Sequence, residues 1–117
     1  MNYFSFKEFD CPGVKGSGKK MDKDFLLKLD FARELAGIPF KINSGFRTKK
    51  HNQIVGGRVG SSHLKGLAAD IGYTGSRERY LILHSLLKAG IHRMGIGKTF
   101  IHCDMDSTKD ENVVWLY

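Results

Sequence analysis

Two short runs in this chain alternate apolar and titratable residues, and they restrict its possible folds more than any other feature. In FIHCD, Phe100 to Asp104, a β-strand would place Phe100, His102 and Asp104 on one face and Ile101 and Cys103 on the other. In LAADIGY, Leu67 to Tyr73, the residues Leu67, Ala69 and Ile71 share a face while Asp70 points away from it. Side by side, two such strands set Asp70, His102 and Asp104 in a common polar pocket above an apolar floor. His63 enters from the preceding turn, and Gly66 gives the chain freedom to reverse before Asp70.

The other elements follow from periodicity and punctuation. SFKEF reads as a short helical turn with Ser5 as cap and Phe6 and Phe9 buried, and CPGVKGSGKK reads as a loop. A helix is expected from Asp22 to Ala36, capped by Asp22 and ended by Gly37 and Pro39. Its two apolar rows, Phe25/Leu29/Ala32/Ala36 and Leu27/Phe31/Leu35, predict burial around much of its circumference. FKIN, Phe40 to Asn43, is a predicted strand. Residues 48–54 are a predicted helical turn with Ile54 and Val55 inward. A second helix is capped by Ser76, turns Tyr80, Leu83 and Leu87 to the core and closes at Gly90. RMGI and TFIHCDM form a hairpin across Gly97-Lys98, a link that suits a type II′ turn, and VVWLY is a last strand. This order predicts an α+β fold, an antiparallel sheet with helices packed on one side.

At 117 residues the chain is long enough for one domain, 1–117, and too short for two. An apolar fraction of 41% and a charged fraction of 26% are ordinary for a soluble globular protein. No apolar run approaches the ~20 residues of a membrane span, so no membrane insertion is expected. The opening MNYFSFKEFDCPG lacks the apolar core of ~7–15 residues that a secretory signal carries, and residue 1 is Met. Synthesis in the cytoplasm is therefore expected. Cys11 and Cys103 cannot make a disulfide framework; reduced thiols are expected, with Cys103 a small core residue. The net charge of +7 gives solubility and a general attraction to polyanions. Its basic residues are interleaved with acids, without zinc-finger spacing, an RNP-like aromatic motif or a basic helix, so no nucleic-acid partner is expected. A monomer is expected.

Two imidazoles and one carboxylate with an open fourth position form the ligand set of a catalytic zinc rather than of a closed structural one. Taken singly, each piece has a plainer reading. His63 and Asp70 could be a chance pair, His102-X-Asp104 a structural salt bridge, and Arg47 a surface turn residue. Their combination, with polar groups set into core-like strands, points to a metal centre.

The runs SGFRTKKHN, GGRVGSSHLKGLAADI and GIGKTFIHCDMD resemble the zinc D-Ala-D-Ala carboxypeptidase family, especially its short phage and bacterial branch. That family shares its fold with the hedgehog signalling domain. The pattern Ser-X-His-X-X-Gly-X-Ala-X-Asp is met by Ser61, His63, Gly66, Ala68 and Asp70. The resemblance implies a hedgehog/DD-peptidase-like fold and a Zn2+ ion held by His63, Asp70 and His102. It implies that Arg47 binds a substrate carboxylate or peptide carbonyl. The implied activity is hydrolysis of peptidoglycan stem peptides or cross-links by metal-activated water, with action at the bacterial cell wall as in a phage endolysin. Many relatives carry Glu or Asp three residues before the last histidine as the base, where this chain has Thr99. Asp104 is then either the base or the group that orients His102. His51 and Ser62 are candidate substrate contacts. The rival reading is a catalytically silent zinc-containing cell-wall or protein binding module.

Overall fold

The computed structural model describes residues 1–117. Its first helix, α1 (Lys23–Ala36), begins where the Asp22 carboxylate accepts the Phe25 N–H at 2.9 Å and ends at Gly37 in the left-handed conformation. Phe25, Leu26, Leu29 and Ala32 are buried as a single stripe. The second predicted row is not: Leu27, Phe31 and Leu35 are exposed, Leu27 by 56%. The core lies to one side of α1, so one face is covered and the other meets solvent.

Helix α3 (Gly75–Ala89) packs against α1. Its inward stripe is Ile82, Ser85, Leu86 and Ala89, whereas Tyr80 and Leu87 are exposed. The run LILHSLL is apolar on more than one side, so periodicity alone did not select the face. Thr74, not Ser76, precedes the helix, and the Glu78 carboxylate accepts the Thr74 N–H at 2.9 Å.

Strands β1 (Lys41–Ser44), β2 (Ala68–Gly72), β3 (Arg93–Ile96), β4 (Phe100–Asp104) and β5 (Val113–Leu116) form one sheet in the order β1-β2-β4-β3-β5. The α+β expectation holds. Pairing is antiparallel except that β5 runs parallel to β3, which makes the sheet mixed rather than antiparallel throughout. A parallel neighbour needs a crossover instead of a tight turn, and residues 105–112 supply it. Ala69, Ile71, Met94, Ile101 and Cys103 from the sheet join Phe25, Leu29, Ile82 and Leu86 from the helices in one core. Cys11 and Cys103 are both free and buried. The opposite face of β2 and β4 is therefore left for polar side chains.

The β3–β4 link is longer than expected, residues 97–99, and Gly97 is not left-handed. Glycine is needed there for space: a Cβ would meet the Phe100 ring at 2.3 Å. The Gly97 carbonyl accepts the Tyr73 hydroxyl at 2.6 Å. The short helix α2 (Lys49–Ile54) exposes Ile54 and Val55, contrary to expectation, and buries Asn52 instead. Near the start, the 3₁₀ turn Phe6–Phe9 is closed by a Ser5/Glu8 capping box; Phe9 is buried but Phe6 is exposed.

Candidate metal centre

Strands β2 and β4 pair so that Asp70 and His102 are direct partners across the ladder. Strand alternation then turns both side chains to the face opposite Ile71 and Ile101. His63 comes from the 3₁₀ turn Ser62–Lys65, whose entry is capped by the Ser61 hydroxyl and whose exit is the left-handed Gly66. Gly66 is needed twice over, because a Cβ there would also meet the Lys20 carbonyl oxygen at 2.5 Å.

The ring nitrogens divide into two sets. His63 Nε2 lies 3.3 Å and His102 Nδ1 lies 3.0 Å from the same carboxylate oxygen, Asp70 Oδ1. The remaining nitrogens are held from behind: His63 Nδ1 by the Gly45 carbonyl at 2.8 Å and His102 Nε2 by Asp104 Oδ2 at 2.7 Å. In the neutral rings each outer acceptor fixes the tautomer whose inner nitrogen keeps its lone pair for a cation. One ligand atom from each of His63, Asp70 and His102 lies within 4.8 Å of the others, so the three can hold a metal ion. Two histidines and one carboxylate suit zinc, and the fixed tautomers fit a cation better than a plain ion pair would require.

Asp70 and His102 are each shifted toward the charged form. Burial disfavours the charged forms, but the hydrogen bonds among the groups prevail. Bonds from His102 and His63 hold the Asp70 carboxyl far below the ordinary carboxylate range. Bonds to Asp104 and Asp70 raise the His102 pKa despite its burial. Burial pushes the Cys103 thiol well up, in keeping with an inert core residue on the other face.

Arg47 reaches the centre from the loop after β1. Its guanidinium donates to Ser44 Oγ at 3.0 Å, to Asn52 Oδ1 at 3.2 Å and to Asp70 Oδ2 at 3.4 Å. Asn52 also donates to the Arg58 carbonyl at 2.9 Å, which locks its amide. The approach of Gly57 to Asn52 leaves no space for a Cβ, which would lie 1.9 Å from Asn52 Oδ1. The sequence reading passed over Asn52. Its position next to His51 and a few residues after Arg47 was the available signal.

Asp104 is turned toward the centre as expected, but it is fully engaged. Oδ1 accepts from Arg93 Nε at 2.7 Å and from the Asp106 N–H at 3.2 Å, while Oδ2 faces His102. Ser62 is not at the metal cluster. Its buried hydroxyl donates to Asp106 at 2.7 Å and accepts from Lys109 at 2.9 Å, which commits it to holding the 105–112 crossover. His51 is half-buried on α2, and its side chain joins none of the hydrogen bonds of the cluster. Trp115, also passed over in the sequence, stands 5.5 Å from the His102 ring.

No helix is long and apolar enough to cross a membrane. No curated protein matches the chain. Residues 2–104 match the family Peptidase M15. That span contains β2, β4, Arg47 and the whole His63–Asp70–His102 cluster, and the chain belongs to this family of zinc peptidases.

Proposed function

We propose that residues 1–117 form one zinc peptidase-like domain that cleaves peptide bonds in bacterial peptidoglycan, in stem peptides or cross-links. The observation that carries this reading is the convergence of His63 Nε2, Asp70 Oδ1 and His102 Nδ1, with both outer ring nitrogens already tied. These three residues would hold the ion. Zinc bound there would supply a Lewis acid for the scissile carbonyl and bring the pKa of water toward ~7.

The protein's own side chains set the geometry. Arg47, fixed by Ser44 and Asn52, has N–H groups left to grip a carboxylate or carbonyl of the peptide. A free terminal carboxylate at Arg47 corresponds to carboxypeptidase action and a peptide carbonyl to endopeptidase action. Asp104 acts as the positioning group of His102, because both its oxygens are engaged and it is buried. Synthesis in the cytoplasm and action at the cell wall after release, as for a phage endolysin, complete the proposal.

Two observations favour a second reading, a zinc-containing module that binds wall peptides without cutting them. Thr99 is exposed on the β3–β4 link and has no carboxylate, and Asp104 has no free oxygen to take a proton. Zinc-loaded protein incubated with purified walls separates the readings. Release of muropeptides that chelator abolishes supports the peptidase, while stoichiometric zinc with retention on walls and no release supports the module. Metal analysis of His63→Ala and Asp70→Asn tests both, since either substitution is expected to abolish stoichiometric zinc.

A further inference from the structure

The face of the sheet that carries the metal cluster continues past His102 into a group of aromatic rings to which the proposed function gives no work. Strand β5 lies against β3 with Trp115 opposite Gly95. The Trp115 ring is 5.5 Å from His102, and Tyr117 lies 6.3 Å further along from Trp115. Phe100 supports Tyr117 at 5.0 Å. Gly95 makes this arrangement possible: a Cβ would lie 2.3 Å from Trp115 Nε1 and 2.6 Å from the Tyr117 ring. Any other residue opposite Trp115 would push both rings off the sheet. Strand β5 lies beyond residues 2–104, the part matched as Peptidase M15.

Trp115 is half-buried and Tyr117 is 67% exposed, so the rings border solvent rather than fill the core. Arg93 stacks on Trp115 at 5.2 Å and is itself tied to Asp104. The indole is therefore held in place as a rigid plate beside the metal cluster. Arg47 contacts that cluster through Asp70 and Trp115 through His102. A peptide whose carboxylate met Arg47 and whose backbone crossed Asp70 and His102 would run toward the rings, since Trp115 neighbours His102.

Resting on the proposed function, we infer that Trp115 and Tyr117 form a subsite for an uncharged apolar side chain of the bound peptide, and thereby set its residue preference. Rigid aromatic surface gives contact area to aliphatic groups at small entropic cost. Discrimination of this kind comes in factors of ~10–200 per methylene-sized change.

Trp115 is the only tryptophan in the chain, so its emission reports on this subsite alone. The test uses zinc-loaded protein and three probes, N-acetyl dipeptides ending in D-alanine with glycine, D-alanine or D-leucine before it. Affinities are measured by calorimetry for wild type, Trp115→Ala and Tyr117→Ala. Affinity is expected to rise ~10-fold or more from the glycine to the leucine probe in wild type. That rise should fall to ~3-fold or less in Trp115→Ala and be reduced in Tyr117→Ala, with zinc content unchanged. Wild-type Trp emission is expected to shift to the blue with the leucine probe. An equal gradient in all three proteins, or no gradient with clear binding, overturns the subsite and leaves the proposed function standing. Failure of zinc-loaded wild type to bind any probe overturns the subsite and, of the proposed function, the carboxypeptidase form alone; release of muropeptides from walls decides the remainder. If Trp115→Ala does not fold, the Tyr117→Ala gradient and the wild-type emission shift decide the matter.

Discussion

His102 and Asp104, two residues apart on one strand, share a 2.7 Å hydrogen bond, while the other nitrogen of the same imidazole faces Asp70 at 3.0 Å. Strand alternation is what allows this, since positions i and i+2 project from the same face. Asp104 is buried and also pairs with Arg93 at 2.7 Å, so one carboxylate sets both the His102 tautomer and the Arg93 side chain.

Asp104→Asn should therefore weaken zinc without removing it. Loss of an outer partner of a ligating histidine costs ~10–100-fold in metal affinity. Arg93 loses its buried counter-charge as well, a change worth about 3 kcal/mol of stability. Chelator competition checks the first figure and urea unfolding of the zinc-free protein the second.

The pH dependence should reverse when zinc binds. In the zinc-free protein the His102 pKa is raised above 6.5, so its contribution to stability is complete below that value. It is lost as pH rises through the higher folded-state pKa. Asp70 and Asp104 are shifted down, so their contributions hold above the ordinary carboxylate pKa and fade as pH falls toward their folded values. Zinc held at the proposed site would have to displace the His102 proton, so its affinity is expected to rise with pH over the range where zinc-free stability falls. Melting curves with and without zinc between about pH 5.5 and about pH 9 should diverge as pH rises.

Most of the centre was legible in the sequence because it lies on strands. Period-two alternation puts Asp70, His102 and Asp104 on a face without any need to know their partners. Helix faces were harder. LILHSLL and the doubled rows of α1 offer more apolar surface than one sheet can cover, and only tertiary packing chose Ile82 over Tyr80 and Leu26 over Leu27. The partners of Ser62 were illegible for a different reason. Its partner Asp106 is 44 residues away, and no local pattern pairs a turn serine with a crossover loop. Asn52 and Trp115 escaped because amides and indoles carry no metal-site signature of their own.

Asn52→Ala should damage substrate handling and spare the metal. Arg47 would lose the acceptor that orients its NH1 group, and a hydrogen bond to a charged group is worth about 1.5–3 kcal/mol. The expected result is a fall of ~10–100-fold in kcat/KM, concentrated in KM, at unchanged zinc content. Steady-state kinetics on a chromogenic wall peptide, beside metal analysis, provides the check.

Gly45→Ala should disturb the centre from behind. A Cβ at that position would lie 2.7 Å from the Phe9 Cα, so backbone must move, at about 1–3 kcal/mol. The Gly45 carbonyl that holds His63 would shift with it, lowering zinc affinity along with the melting temperature. Gly60→Ala is the matched control: it has open space and no left-handed backbone to strain, and it should leave both quantities unchanged.

The direct pairing of Asp70 with His102 has a consequence for how the molecule matures. Sliding β4 by one residue against β2 would send His102 through the sheet into the oily interior and bring a cysteine or isoleucine out in its place. A mispaired chain would thus be unable to assemble the cluster, and only the properly zipped sheet could retain the ion.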